Sequence, residues 1–90
     1  MSVVSREVEI CNQRGLHARA SAKFVNVASQ LPAKIEVEKD GHRVVGTSIM
    51  GLMMLGAALG DLIVIHADGD GSEDSLAQLV KLVEERFGEE

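Results

Sequence analysis

The stretch KIEVEKDGHRVV, residues 34–45, decides the fold, because two independent signals in it agree. Ile35 and Val37 alternate with Glu36 and Glu38, the period of two that sends successive side chains to opposite faces of a strand. Asp40-Gly41 then supplies residues that accept the backbone of a tight hairpin turn, and HRVV returns as a second strand. The pattern predicts a hairpin with one apolar and one charged face.

Similar patterning lies on either side. Upstream, EVEIC at 7–11 alternates Val8 and Ile10 with Glu7 and Glu9. Downstream, DLIVIHADG at 61–69 sits between the turn pairs Gly60-Asp61 and Asp68-Gly69. Between the first two strands Leu16, Ala20, Phe24, Val27, Ala28 and Leu31 recur at helical spacing, and Pro32 stops them. A last helix carries Leu76, Leu79, Val80, Val83 and Phe87, with Ser72 as its expected N-cap, Glu73 and Asp74 in its first turn and Gly88 closing it. Residues 47–59 lack clean periodicity, yet their Met, Leu and Ala suit a short helix capped by Ser48 and followed by a loop. The order β-α-β-β-α-β-α predicts an α+β fold: an open-faced, two-layer β-sandwich whose sheet hides its apolar face under three helices. Residues 1–90 read as a single domain, without repeat, linker or low-complexity tract.

Composition narrows the function. The formal charge of −5 opposes attraction to nucleic acid or an anionic membrane, and a chain without Trp or Tyr has no base-stacking platform. Cys11 is the only cysteine, so no internal disulfide forms, and MSVVSREVEI lacks the basic start and apolar core of a signal peptide; both fit the cytoplasm. The apolar run IMGLMMLGAAL, 49–59, is too short to insert across a bilayer, which takes ~20 residues.

One histidine stands at a place where chemistry can happen. In RGLHARASA, 14–22, His17 falls where a turn gives way to the first helix, and the unpaired N–H groups and dipole of a helix start favour anions. A neutral imidazole there is a competent nucleophile; a phosphoryl group taken onto its nitrogen meets the N–H groups of Ala18 and Arg19 and the Arg19 guanidinium. By position alone, a lone histidine at a helix start is more often a cap or a surface residue than a phosphoacceptor. Its neighbours give no metal-ligand spacing, and we expect neither metal nor cofactor.

GLHAR at 15–19 and TSIMGLMML at 47–55, about thirty residues apart, resemble the HPr phosphocarrier family of the phosphoenolpyruvate-dependent phosphotransferase system, and the similarity runs through nearly the whole chain. The resemblance implies a sheet of order 1-4-2-3 and a monomeric carrier with a covalent phosphohistidine, rather than a stand-alone enzyme. His17 would accept a phosphoryl group from enzyme I and pass it to an EIIA-type domain, with Arg19 as its electrostatic partner. Ser48 corresponds to the family's regulatory serine, the target of HPr kinase/phosphorylase. Ile49, Met50 and Met53 would form the docking face, where flexible thioethers suit several partners in turn. Ala20 stands where the family motif usually has proline; the helix should start at the same place and fray slightly more. An alternative reading is a regulatory module whose phosphorylation state controls its association with target proteins. Sugar-transport and nitrogen-type branches are both compatible with these residues.

Other features read more plainly. His66 belongs on the open face of the sheet and His42 beside the hairpin turn. DGDGSED, 68–74, lacks the Gly and Glu positions of a calcium loop, and GTSIMG lacks the GK[ST] ending of a P-loop. Leu52, Leu55 and Ala58 are expected in the core.

Overall fold

The computed structural model describes residues 3–89. It contains β1 (Val3–Glu9), α1 (Ala18–Ala28), β2 (Lys34–Lys39), β3 (His42–Val45), α2 (Ile49–Met54), β4 (Leu62–Asp68), α3 (Ser72–Glu84) and a 3₁₀ turn, Arg86–Gly88. The four strands form one antiparallel sheet of order β1-β4-β2-β3. This is the expected sandwich.

Register explains its two faces. Val8 stands opposite Ile63, Ile65 opposite Val37 and Ala67 opposite Ile35, so one side of the sheet is a continuous apolar surface. Helix α3 packs on β1 and β4, and α1 lies beside α2 and α3. Between the layers, Phe24, Leu52, Leu79, Val83 and Phe87 are fully buried. Each such side chain contributes about 1.5–3 kcal/mol by leaving water. The other face carries Ser5, Glu7, Glu9, Glu36, Glu38, His66 and Asp68, interspersed with Lys34, Arg43 and the apolar Val3, Val45, Leu62 and Val64. There His66 bridges strands, its Nδ1 2.6 Å from Ser5 Oγ and its Nε2 2.9 Å from Glu38 Oε1. The open-face reading of His66 holds.

The hairpin turns as its sequence requires. Asp40 and Gly41 both take positive φ, 52° and 83°. Strand β1 begins four residues before the alternation of 7–11, because pairing with β4 from Val3↔Asp68 to Glu9↔Leu62 supplies ladder partners that its polar Ser5 and Arg6 conceal. Helix α1 stops at Ala28, ahead of Pro32; Ser29, Gln30 and Leu31 then close turns onto Val25, Val27 and Ala28.

Three local expectations need correcting. The N-cap of α3 is Gly71, at φ 70°, and Ser72 is the first helical residue, buried. The turn into α3 puts residue 71 in the left-handed region, which glycine enters without steric cost, and no side chain caps the helix there. Helix α3 also ends at Glu84 rather than Gly88; residues 86, 87 and 88 follow in left-handed conformation, φ 59°, 54° and 77°. After α2, Ala57 is buried and Ala58 exposed, because the chain leaves the helix at Leu55 and the helical spacing no longer applies.

Candidate functional site

The site begins with a close approach. Gly15, at φ +64°, lies so near the loop after α2 that a Cβ would stand 2.2 Å from the Ala57 carbonyl oxygen and 2.8 Å from Ala58 Cα. The next N–H, of Leu16, donates to the Ala57 carbonyl at 2.9 Å. The glycine of GLHAR thus seats the start of α1 on the loop that follows TSIMGLMML.

His17 is the N-cap of α1, with extended backbone at φ −72°, ψ 179°. Its Nδ1 accepts the Arg19 backbone N–H at 3.2 Å, and its Nε2 lies 2.6 Å from Glu89 Oε2. These two contacts assign the proton. The Arg19 N–H can only donate, so Nδ1 is unprotonated. Glu89 is held below the ordinary carboxylate value, first by the hydrogen bond from Asn12, against an opposing effect of burial, and further by the hydrogen bond from His17 and the nearby charge of Lys23. An ionised carboxylate only accepts, so Nε2 carries the hydrogen. Neutral His17 therefore points the Nδ1 lone pair at the start of the helix.

Asn12 braces this arrangement from beneath. It is fully buried, and its Nδ2 donates to the Gly15 carbonyl at 2.9 Å and to Glu89 Oε1 at 3.1 Å. Its Oδ1 has no partner among the described residues. One amide thus fixes both the turn before His17 and the carboxylate on it.

Arg14, Arg19 and Lys23 line the same shallow cleft as His17 and Glu89. Lys23 Nζ also donates to the Phe87 carbonyl at 2.7 Å. Three cations at one opening, in a chain of formal charge −5, make this the anion-attracting end of the molecule. Arg19 lines the cleft, and its backbone N–H is engaged by Nδ1; Ala18 occupies the first helical position. Among the described residues no cluster of three or more His, Cys, Asp or Glu could hold a metal ion. Nor is any helix long and apolar enough to cross a membrane.

Beside α1, Ser48 caps α2: its Oγ accepts the Gly51 N–H at 2.9 Å. Ile49, Met50 and Met53 are exposed, and so is Met54, at 81% the most open large apolar side chain among the described residues, which periodicity did not single out. Leu52 and Leu55 face inward. The apolar face of α2 thus adjoins the helix that His17 opens.

Sequence reasoning missed Asn12 and Glu89. Glu89 lies 72 residues from His17, and no local pattern joins them. A polar residue three before a turn glycine, with an apolar neighbour at Ile10, is the one signal that could have marked Asn12 as a turn-bracing side chain.

An open-faced sandwich of this strand order, with a lone histidine capping α1 inside a cationic cleft, defines a class of small domains that present one imidazole to partners. Residues 4–85 match the family model described as the PTS HPr component phosphorylation site, and the chain belongs to the HPr family of phosphotransferase-system phosphocarriers. It is 45% identical over 87 residues to the phosphocarrier protein HPr of Neisseria meningitidis, covering 97% of this chain and 98% of that one. It is 34% identical to the phosphocarrier protein NPr of Shewanella violacea, covering 99% and 98%. The crystal structure of HPr-C-His from Thermoanaerobacter tengcongensis superposes with a TM-score of 0.89 at 46% identity, covering 100% and 99%. Crh of Bacillus subtilis, described as a swapped dimer, gives 0.75 at 36% identity, covering 92% and 95%.

Proposed function

We propose that His17 is the residue that takes up and gives on the phosphoryl group. The observation that carries this is the Nδ1 lone pair held at the start of α1, in a cleft lined by Arg14, Arg19 and Lys23. The N–H groups in the first turn of a helix and the guanidinium of Arg19 suit the charge that a phosphoryl group brings. The bond formed is P–N, and an imidazole that keeps a proton on its other nitrogen leaves readily, which suits relay rather than storage.

The donor in this reading is enzyme I charged by phosphoenolpyruvate, and the acceptor an EIIA-type domain, both met in the cytoplasm. Ile49, Met50 and Met53, with Met54, form the docking face. Ser48 is the target of an HPr kinase/phosphorylase: its phosphate would sit where the Oγ already caps α2, adding about −2 charge beside the apolar face. In this reading residues 1–90 act as one domain and as a monomer.

Incubation with phosphoenolpyruvate, magnesium and a cognate enzyme I tests the assignment. The expected product is an acid-labile, alkali-stable adduct that His17→Ala abolishes. Full labelling of His17→Ala would overturn it.

A further inference from the structure

We propose that Glu89 is a positioning residue for phosphoryl transfer: its carboxylate holds the hydrogen on Nε2 of His17, keeps Nδ1 as the nucleophile, and offsets the positive charge the ring acquires. This rests on His17 being the phosphoryl acceptor. It concerns a residue outside the family match, which ends at 85.

The contact is built rather than incidental. Glu89 uses both oxygens, Oε2 toward His17 at 2.6 Å and Oε1 toward Asn12 at 3.1 Å, so its plane and distance are both set. The segment that delivers it is anchored at Phe87. Phe87 is 1% exposed although its backbone is left-handed, and Lys23 Nζ ties down the Phe87 carbonyl. Left-handed backbone at two consecutive non-glycine residues, Arg86 and Phe87, is sterically costly. Burial of the Phe87 ring and the Lys23 hydrogen bond to its carbonyl oppose that cost, and the chain turns back over the cleft.

The chemistry follows from the tautomer. The Nδ1 lone pair attacks phosphorus, an Nδ1–P bond forms, and the bond from phosphorus to the donor breaks with its electron pair left on the donor. The ring keeps the Nε2 hydrogen and becomes cationic. A carboxylate already on that hydrogen stabilises the cation as it forms, and it steadies the ring again as leaving group when the phosphoryl group moves on. Glutamine at 89 could donate its amide N–H to Nε2 and so favour the other tautomer, with Nδ1 protonated. In the buried serine-protease triad the equivalent change costs ~10⁴ in rate. His17 and Glu89 side chains are 17% and 19% exposed, so partial solvation makes the loss smaller, roughly tenfold.

Ring nitrogen NMR of ¹⁵N-histidine-labelled protein, run beside phosphoryl-transfer rates in both directions and thermal melts, tests this. In the wild type neutral His17 should show a protonated Nε2 and an unprotonated Nδ1. Glu89→Gln should move the ring toward the other form and slow transfer both ways by roughly tenfold with little change in melting. Glu89→Asp, which keeps the charge, should recover part of the rate. Unchanged ring signals in Glu89→Gln, with or without slower transfer, overturn the proposal, because the role claimed acts through the ring. Rates within twofold of wild type also overturn it and leave the His17 assignment standing. A wild-type protein that takes no label on His17 refutes the carrier reading instead, and the NMR arm needs no phosphoryl donor.

Discussion

Replacing Gly15 by alanine should be among the most damaging single-methyl changes in this protein, and Gly56 provides a matched control. The two glycines have nearly the same backbone, φ +64° and +65°, yet a Cβ at Gly56 meets nothing within 4 Å while one at Gly15 lies 2.2 Å from the Ala57 carbonyl oxygen. Both substitutions incur the left-handed cost of about 1–2 kcal/mol. Only Gly15→Ala adds overlap with backbone, which cannot rotate away as a side-chain end can, at about 1–3 kcal/mol more. For a domain of this size 1 kcal/mol moves Tm by about 4–8 °C, so Gly56→Ala should fall by roughly 5–15 °C and Gly15→Ala by roughly 10–30 °C. Thermal melts followed by circular dichroism compare them directly. Because Leu16 hydrogen-bonds the same carbonyl, residual folded Gly15→Ala should also accept phosphoryl groups more slowly. Equal melting temperatures for the two variants would show that the close approach of Gly15 to the α2 segment does not exist, and with it would go the account of how His17 is seated.

Arg19→Ala should melt like wild type, since the side chain is exposed, while transfer slows about tenfold; this is less than the ~10²–10³ of an enclosed charge-stabilising donor because the cleft is open to water. An unchanged transfer rate would make Arg19 an ordinary surface charge. Ser48→Ala removes the hydrogen bond to Gly51 and should lose about 1 kcal/mol, or roughly 5 °C. Ser48→Asp caps as well as serine and should hold its Tm, yet accept phosphoryl groups from enzyme I more slowly, because a carboxylate beside Ile49, Met50 and Met53 must lose water on docking. A low Tm or a wild-type rate for Ser48→Asp argues against Ser48 as a switch built on a tolerant cap.

What was legible in the chain was whatever is written locally. Strand alternation at 34–38, the Asp40-Gly41 turn and the Ser48 cap each occupy a few adjacent residues, and each is present as read. His17 was found because a helix start is itself a local signal. Ser72 misled because serine is a good cap wherever a side chain can reach back, and at residue 71 a left-handed glycine takes that position instead. Asn12 and Glu89 were invisible for a different reason. Their pairing depends on Arg86 and Phe87 adopting a backbone that their residue types disfavour, imposed by burial of one aromatic ring. No propensity contains that, because the cause is tertiary.

The uncovered face of the sheet bears on how such a carrier works in traffic. Glu7, Glu9, Glu36, Glu38 and Asp68 line it, with Ser5, His66 and Glu38 joined across three strands. Any protein stacking there would have to strip water from a field of carboxylates, so that flank stays wet. Lys34, Arg43 and the exposed side chains of Val3, Val45 and Leu62 are scattered among these acids, whereas Ile49, Met50, Met53 and Met54 stand together on α2 and Arg14, Arg19 and Lys23 together at the cleft beside α1. Partners that dock on the α1–α2 flank proposed above would hold it one at a time, each excluding the next. Throughput is then set by departure: a complex that lingers blocks every other customer, and side chains that grip lightly outperform ones that grip well.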